Sequence, residues 1–383
     1  MESNLKKAIL EKDQAEIKKI IGDLDLSANW SLISYLEELS PEMLMEAKLK
    51  YKNFHLIKMS LFLREFCIKK YFSKKTEKQL LEALALNLST SNFSNIQAGE
   101  VKYTGYEINQ ETIKKMVEEI YMGNSHNAYY YALGLKEKNP ELLCDLLLQI
   151  GAYSIPDTLG HIVSCFYPVL KDYVYQDSPF CNSALLSYIM YLGRYSLTEK
   201  QKQKINNYIK TEDKNNINTD FSPDYNDLLQ KAASGEGIIN LHHMITAGIF
   251  VLWENDKFTY NPPYELLPDW MGEKEIDKTQ KNKLENINLN ISLPDNYQEF
   301  NDFFSFSNLE QSIPNYLALL ENNPEKALDW LFRIYTENLA TSWDPHYFTS
   351  IYVAYALFSR KNIAQINGYM AFSQTIKYFA ASL

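Results

Sequence analysis

The chain has 383 residues, 46% hydrophobic and 22% charged, with 28 Tyr, 19 Phe and a formal net charge of −10. That balance disfavours a disordered chain, and the acidic surface lacks the clustered Lys and Arg a nucleic-acid partner requires. The opening Met1-Glu2-Ser3-Asn4-Leu5-Lys6-Lys7 has no signal-peptide apolar core, and no run of about 18 uncharged apolar residues follows, so a cytoplasmic protein that avoids membranes is expected.

From Glu2 to about Leu88, apolar residues recur at helical spacing: Leu5, Ile9, Ile17, Ile20, Ile21, Ile33, Leu36, Leu61, Phe62 and Phe66. The pattern predicts five short antiparallel helices, one of them starting at Ser40-Pro41, where a cap residue precedes proline. Residues 87–106 are rich in Ser, Thr, Asn and Gly, which predicts a linker or long crossing loop. The chain is thereby divided into an N-terminal helical subdomain, 1–100, and a histidine-bearing helical domain, 101–383.

In the second part, helices are expected at 111–121, 125–136, 139–150, 157–175, 183–195 and 198–210, then at 299–304, 309–321, 324–339, 345–359 and 364–381. Two polar interruptions separate them, 211–223 and 255–294, the longer being either a lid or binding segment or a surface excursion. Strand-like alternation is confined to 286–293, and no fixed repeat period emerges. The fold class is therefore all-α, an irregular bundle or an array of antiparallel helical hairpins. Cys67, Cys144, Cys165 and Cys181 show no CxxC spacing and read as buried, reduced thiols.

Four of the six histidines share a local pattern. His161, His243 and His346 each open an apolar helix and are followed three residues later by Ser164, Thr246 and Thr349; His126 is followed likewise by Tyr129. Positions i and i+3 share a helix face, so each hydroxyl either lies near its imidazole or bonds back to its own helix. Neutral imidazole is the commonest transition-metal ligand, and helical bundles assemble ligands from facing helices. An all-histidine set suits iron, copper, nickel or zinc over magnesium or calcium, with iron the first choice. The alternative is four histidines scattered in space, each bonded to nearby backbone. His55 lacks a hydroxyl partner and falls outside the set, while His242 points a quarter turn from His243 and contacts either substrate or solvent. Asp157 and Asp344 are ligand candidates or helix caps.

The segments Gly151-Ala152-Tyr153 to Gly160-His161, His243-Met244-Ile245-Thr246, Trp343-Asp344-Pro345-His346 and His126 to Gly134 resemble motifs of the questin oxidase-like proteins. The resemblance spans roughly residues 105–383 and leaves the N-terminal helices outside. It implies a helical enzyme that uses molecular oxygen on polycyclic aromatic substrates such as anthraquinones, in Baeyer-Villiger-like or ring-cleaving chemistry. Some relatives hold non-haem iron with several histidines and a carbamylated lysine. That lysine tends to lie three residues after the last His motif, where this chain has Thr349.

The expected site is iron, with zinc or copper as alternatives, held by His126, His161, His243 and His346. Tyr129, Thr246 and Thr349 are the candidate catalytic residues, Tyr129 as proton donor and the two threonines as hydrogen-bonding partners of the ligands. The expected partner is an aromatic small molecule, and a nicotinamide reductant is left open. The competing reading is a non-catalytic helical scaffold that binds a protein partner through its N-terminal helices.

Overall fold

The structure is a computed structural model that describes residues 4–25, 30–45, 54–91, 102–105, 108–174, 179–195, 197–210, 225–255, 262–338 and 344–383. It is all-α, with no strand among the described residues. The polar interruption at 211–223, most of the crossing loop (92–101 and 106) and Trp343 lie outside the described residues. Among the described residues no helix is long and apolar enough to cross a membrane. The chain forms two compact units: one of residues 1–94, 235–237 and 277–383, the other of residues 95–234 and 238–276.

The first unit opens with five helices, Asn4–Leu10, Gln14–Gly22, Leu32–Met45, His55–Ile68 and Lys74–Ser89. Local chemistry sets their ends: Asp13 accepts the backbone N–H of Glu16, and Ser73 accepts that of Thr76, each satisfying an amide the first helical turn leaves open. One expectation fails here. Ser40-Pro41 does not start a helix; Pro41 lies inside Leu32–Met45, and the Ser40 hydroxyl donates instead to the Leu36 carbonyl one turn back, at 2.6 Å.

The unit is completed by helices from Lys278–Glu285 through Gln365–Ala380, so its core joins the two ends of the chain. Phe62 stacks on Tyr352 at 4.0 Å, Phe66 meets Phe332 at 5.5 Å, and the Ser73 amide donates to Asp329 at 2.7 Å. Residues 286–293, the strand-like stretch, run without a partner strand among the described residues.

In the second unit, Asn109 and Asn139 cap Gln110–Tyr121 and Pro140–Ala152 by accepting the amides of Thr112 and Leu142, and Pro140 occupies the first helical position. The helix expected over 157–175 is broken into Ile155–Thr158, His161–Ser164 and Phe166–Tyr173. Leu159 and Gly160 both take left-handed backbone, at φ of 51° and 77°. Close approach explains the glycine: a Cβ there would overlap the Thr246 hydroxyl and lie 3.2 Å from the Trp270 ring. Thr246 belongs to the long apolar helix Ile238–Asn255 and Trp270 to Leu266–Met271, which sits within the stretch expected as an interruption. All four cysteines are free and buried, as their contexts predict.

Two candidate histidine pairs

In the first unit, Asp344 caps Pro345–Phe358 by accepting the His346 amide at 2.9 Å, and the same carboxylate oxygen accepts from His346 Nδ1 at 2.6 Å. The other oxygen accepts from the Tyr378 hydroxyl at 3.2 Å. Burial pushes the Asp344 carboxyl up, but these hydrogen bonds outweigh it and leave the pKa below the ordinary carboxylate value. An ionised carboxylate only accepts, so Nδ1 carries a proton. The His55 ring meets His346 edge to face, with centroids 4.6 Å apart.

The second unit repeats the arrangement with a different anchor. His161 Nδ1 donates to the Thr158 carbonyl at 2.6 Å, so it too carries a proton on that nitrogen. The left-handed Leu159-Gly160 pair turns the chain between Thr158 and His161 and so brings this carbonyl onto the ring. The His242 ring packs edge to face on His161, with centroids 4.5 Å apart. His243, next along the helix, points elsewhere and meets Trp270 at 4.5 Å. Its Nδ1 is buried without a hydrogen-bond partner among the described residues, as is the Thr246 hydroxyl one turn on. Burial and then the Lys274 ammonium lower the His243 pKa to about 4, so this imidazole is neutral. Burial lowers that of Lys274 in turn to about 8, while its Nζ donates to the Ala232 carbonyl at 3.0 Å.

In each pair the rings stand at the separation of two imidazoles that share one ion. Two imidazoles on one ion, each nitrogen about 2.1 Å away, put their ring centroids roughly 4.5–5.5 Å apart. Fixing Nδ1 by a carboxylate or carbonyl is how proteins orient a metal-binding imidazole. The orphaned His243 Nδ1 lies on the same helix as His242.

The residues expected from sequence fall as follows. His161 and His243 are buried in the second unit; His346 is part-buried in the first. His126 lies on an exposed face of Ser125–Lys138, and its ring meets no other imidazole among the described residues. Tyr129 and Thr246 are buried in the second unit, and Thr349, fully buried in the first, bonds back to the Pro345 carbonyl at 3.1 Å. Asp157 is exposed, whereas Asp344 is both a cap and the partner of His346.

His55 and His242 are the two members of these pairs that the sequence pattern leaves out. The hydroxyl at i+3 is the filter, and these two have Lys58 and Ile245 there. A stronger signal is a neighbour able to fix Nδ1, as Asp344 is for His346. A groove of the first unit, about 360 Å³ and lined by Leu284, Leu309, Ile313 and Pro314, involves none of the histidines.

No protein-family model, curated protein or solved structure matches the chain.

Proposed function

We propose that the protein is a metal-dependent oxidoreductase of the oxygenase type, acting on an aromatic small molecule through histidine-bound iron, with copper or zinc as the alternative ions. One observation carries the reading: in each unit a histidine with Nδ1 fixed at 2.6 Å has its ring packed on a second imidazole, with centroids 4.6 Å apart in one unit and 4.5 Å in the other. The resemblance of the His161, His243 and His346 segments to questin oxidase-like motifs supports the oxygenase class and the aromatic substrate. When bound, such an ion supplies activation of oxygen or of an ionised phenol. The chain's own part is to aim the imidazoles by fixing Nδ1–H, as Asp344 and the Thr158 carbonyl do, and to provide apolar walls.

The test is elemental analysis of the full chain purified without a metal-affinity tag, followed by anaerobic reconstitution with Fe(II). Stoichiometric metal is expected, with content falling in folded His55→Ala/His346→Ala and His161→Ala/His242→Ala variants. Oxygen uptake that depends on a polycyclic phenol and on the metal then supports the class of reaction. A chain with no metal that takes none up on reconstitution refutes the reading.

A further inference from the structure

The groove of about 360 Å³ in the first unit is large enough for a small molecule and lies apart from the histidine pairs. Three helices build it: Lys278–Glu285 and Leu309–Asn322 both pack on Gln365–Ala380, which supplies Ser373 and Lys377. Its apolar lining is Leu284, Leu309, Ile313 and Pro314, with no aromatic ring, in a chain that carries 28 Tyr and 19 Phe. Aliphatic walls of this kind suit a flexible hydrocarbon chain better than a planar ring, which gains from stacking.

The polar groups in the groove show what the other end of such a ligand must be. Ser373 and Lys377 stand at i and i+4, on one face of their helix. Gln280 bridges them: its Nε2 donates to the Ser373 hydroxyl at 3.0 Å, and its Oε1 accepts from Lys377 Nζ at 3.1 Å. The Ser373 oxygen thus already accepts, and its own proton reaches no acceptor among the described residues, although the side chain is only 2% exposed. Lys377 has three N–H donors and spends one on Gln280; Glu236, largely exposed, faces it at 3.8 Å, beyond hydrogen-bond distance.

The side-chain acceptors around the groove are engaged. Asp277 accepts the Gln280 amide at 2.9 Å, and Glu310 accepts from Lys283 at 2.7 Å on the rim. What is left over is a pair of donors, one of them cationic, beside aliphatic walls. The complement of that set is an anionic acceptor on a hydrocarbon chain.

We propose that this groove binds a straight-chain aliphatic carboxylate, a free fatty acid of medium length. The carboxylate accepts from Lys377 Nζ and the Ser373 hydroxyl, and the chain lies along Leu284, Leu309, Ile313 and Pro314. Gln280 is the positioning residue, because its two hydrogen bonds turn both donors toward the same space. The assignment goes beyond the metal reading and shares no residue with it.

The experiment titrates the full chain calorimetrically with decanoate, below its micelle concentration, and with decanol as the neutral analogue. Wild type should bind decanoate about tenfold more tightly than decanol, as expected for a charge-assisted contact. Affinity should rise about fourfold per methylene from hexanoate to decanoate. A folded Lys377→Met variant should lose the preference for the acid while binding decanol as wild type does, and Lys377→Arg should keep most of it. Decanol bound as tightly as decanoate marks an apolar patch only and overturns the proposal. So does no binding of decanoate, an affinity that does not change with chain length, or undiminished preference in Lys377→Met. If Lys377→Met does not fold, Ser373→Ala takes its place, and an unchanged ratio of the two affinities there overturns the assignment equally.

Discussion

His243 is a buried imidazole that resists protonation, and this makes the metal-free protein acid-sensitive. Its folded pKa of about 4 lies below the unfolded value of about 6.5, so the unfolded state binds the proton first as pH falls. Stability is therefore unaffected above pH 6.5 and is lost between about 6.5 and 4, by up to about 3 kcal/mol. Urea titrations at pH 7 and 4.5 should show this drop in wild type and a shallower one in His243→Gln. Asp344 separates two roles in the same way. Asp344→Asn keeps an acceptor for the His346 amide and for Nδ1 but removes the charge. It should leave stability nearly unchanged while weakening metal binding about tenfold, by competition with a chelator. Asp344→Ala should in addition cost about 1 kcal/mol, read from the urea midpoint.

Among the elements, those with local signals are legible in the sequence. The five N-terminal helices follow from apolar spacing, and Asn109 and Asn139 stand where a polar residue meets the start of a helical run. The break at Leu159-Gly160 is not legible, because a lone glycine in an apolar stretch is compatible with continuous helix. What requires the break is distant in sequence: Thr246 and Trp270 occupy the space a side chain would need. Gly160→Ala should then cost about 3 kcal/mol, from left-handed backbone and overpacking together, measured by chemical denaturation. Ser40-Pro41 misleads for the opposite reason, since a strong local start signal is overridden by a helix already running. The histidine pairs show the same limit. His346 is marked by its helix, but its partner His55 lies some 290 residues away and carries no local mark. His242 can be placed only once the direction in which its helix faces is known.

For the whole molecule, the governing fact is that the first unit is built from both ends of the chain. Its N-terminal helices bury Phe62 and Phe66 against Tyr352 and Phe332, and Tyr71 shares a 2.7 Å hydrogen bond with Tyr355. A chain trimmed to residues 101–383 should therefore expose this aromatic core and aggregate, as size-exclusion chromatography would show; a soluble, monomeric fragment with a native-like melting transition would contradict it. The discontinuity also imposes an order in time. Ribosomes deliver about 5–20 residues per second, so the N-terminal helices wait roughly 10–40 seconds for the partners that begin some 180 residues later. Meanwhile the second unit, contiguous but for three residues, is made whole. Newborn chains should thus pass through a stage in which the middle resists protease and the beginning does not, leaving the earliest-made helices the ones most in need of a chaperone.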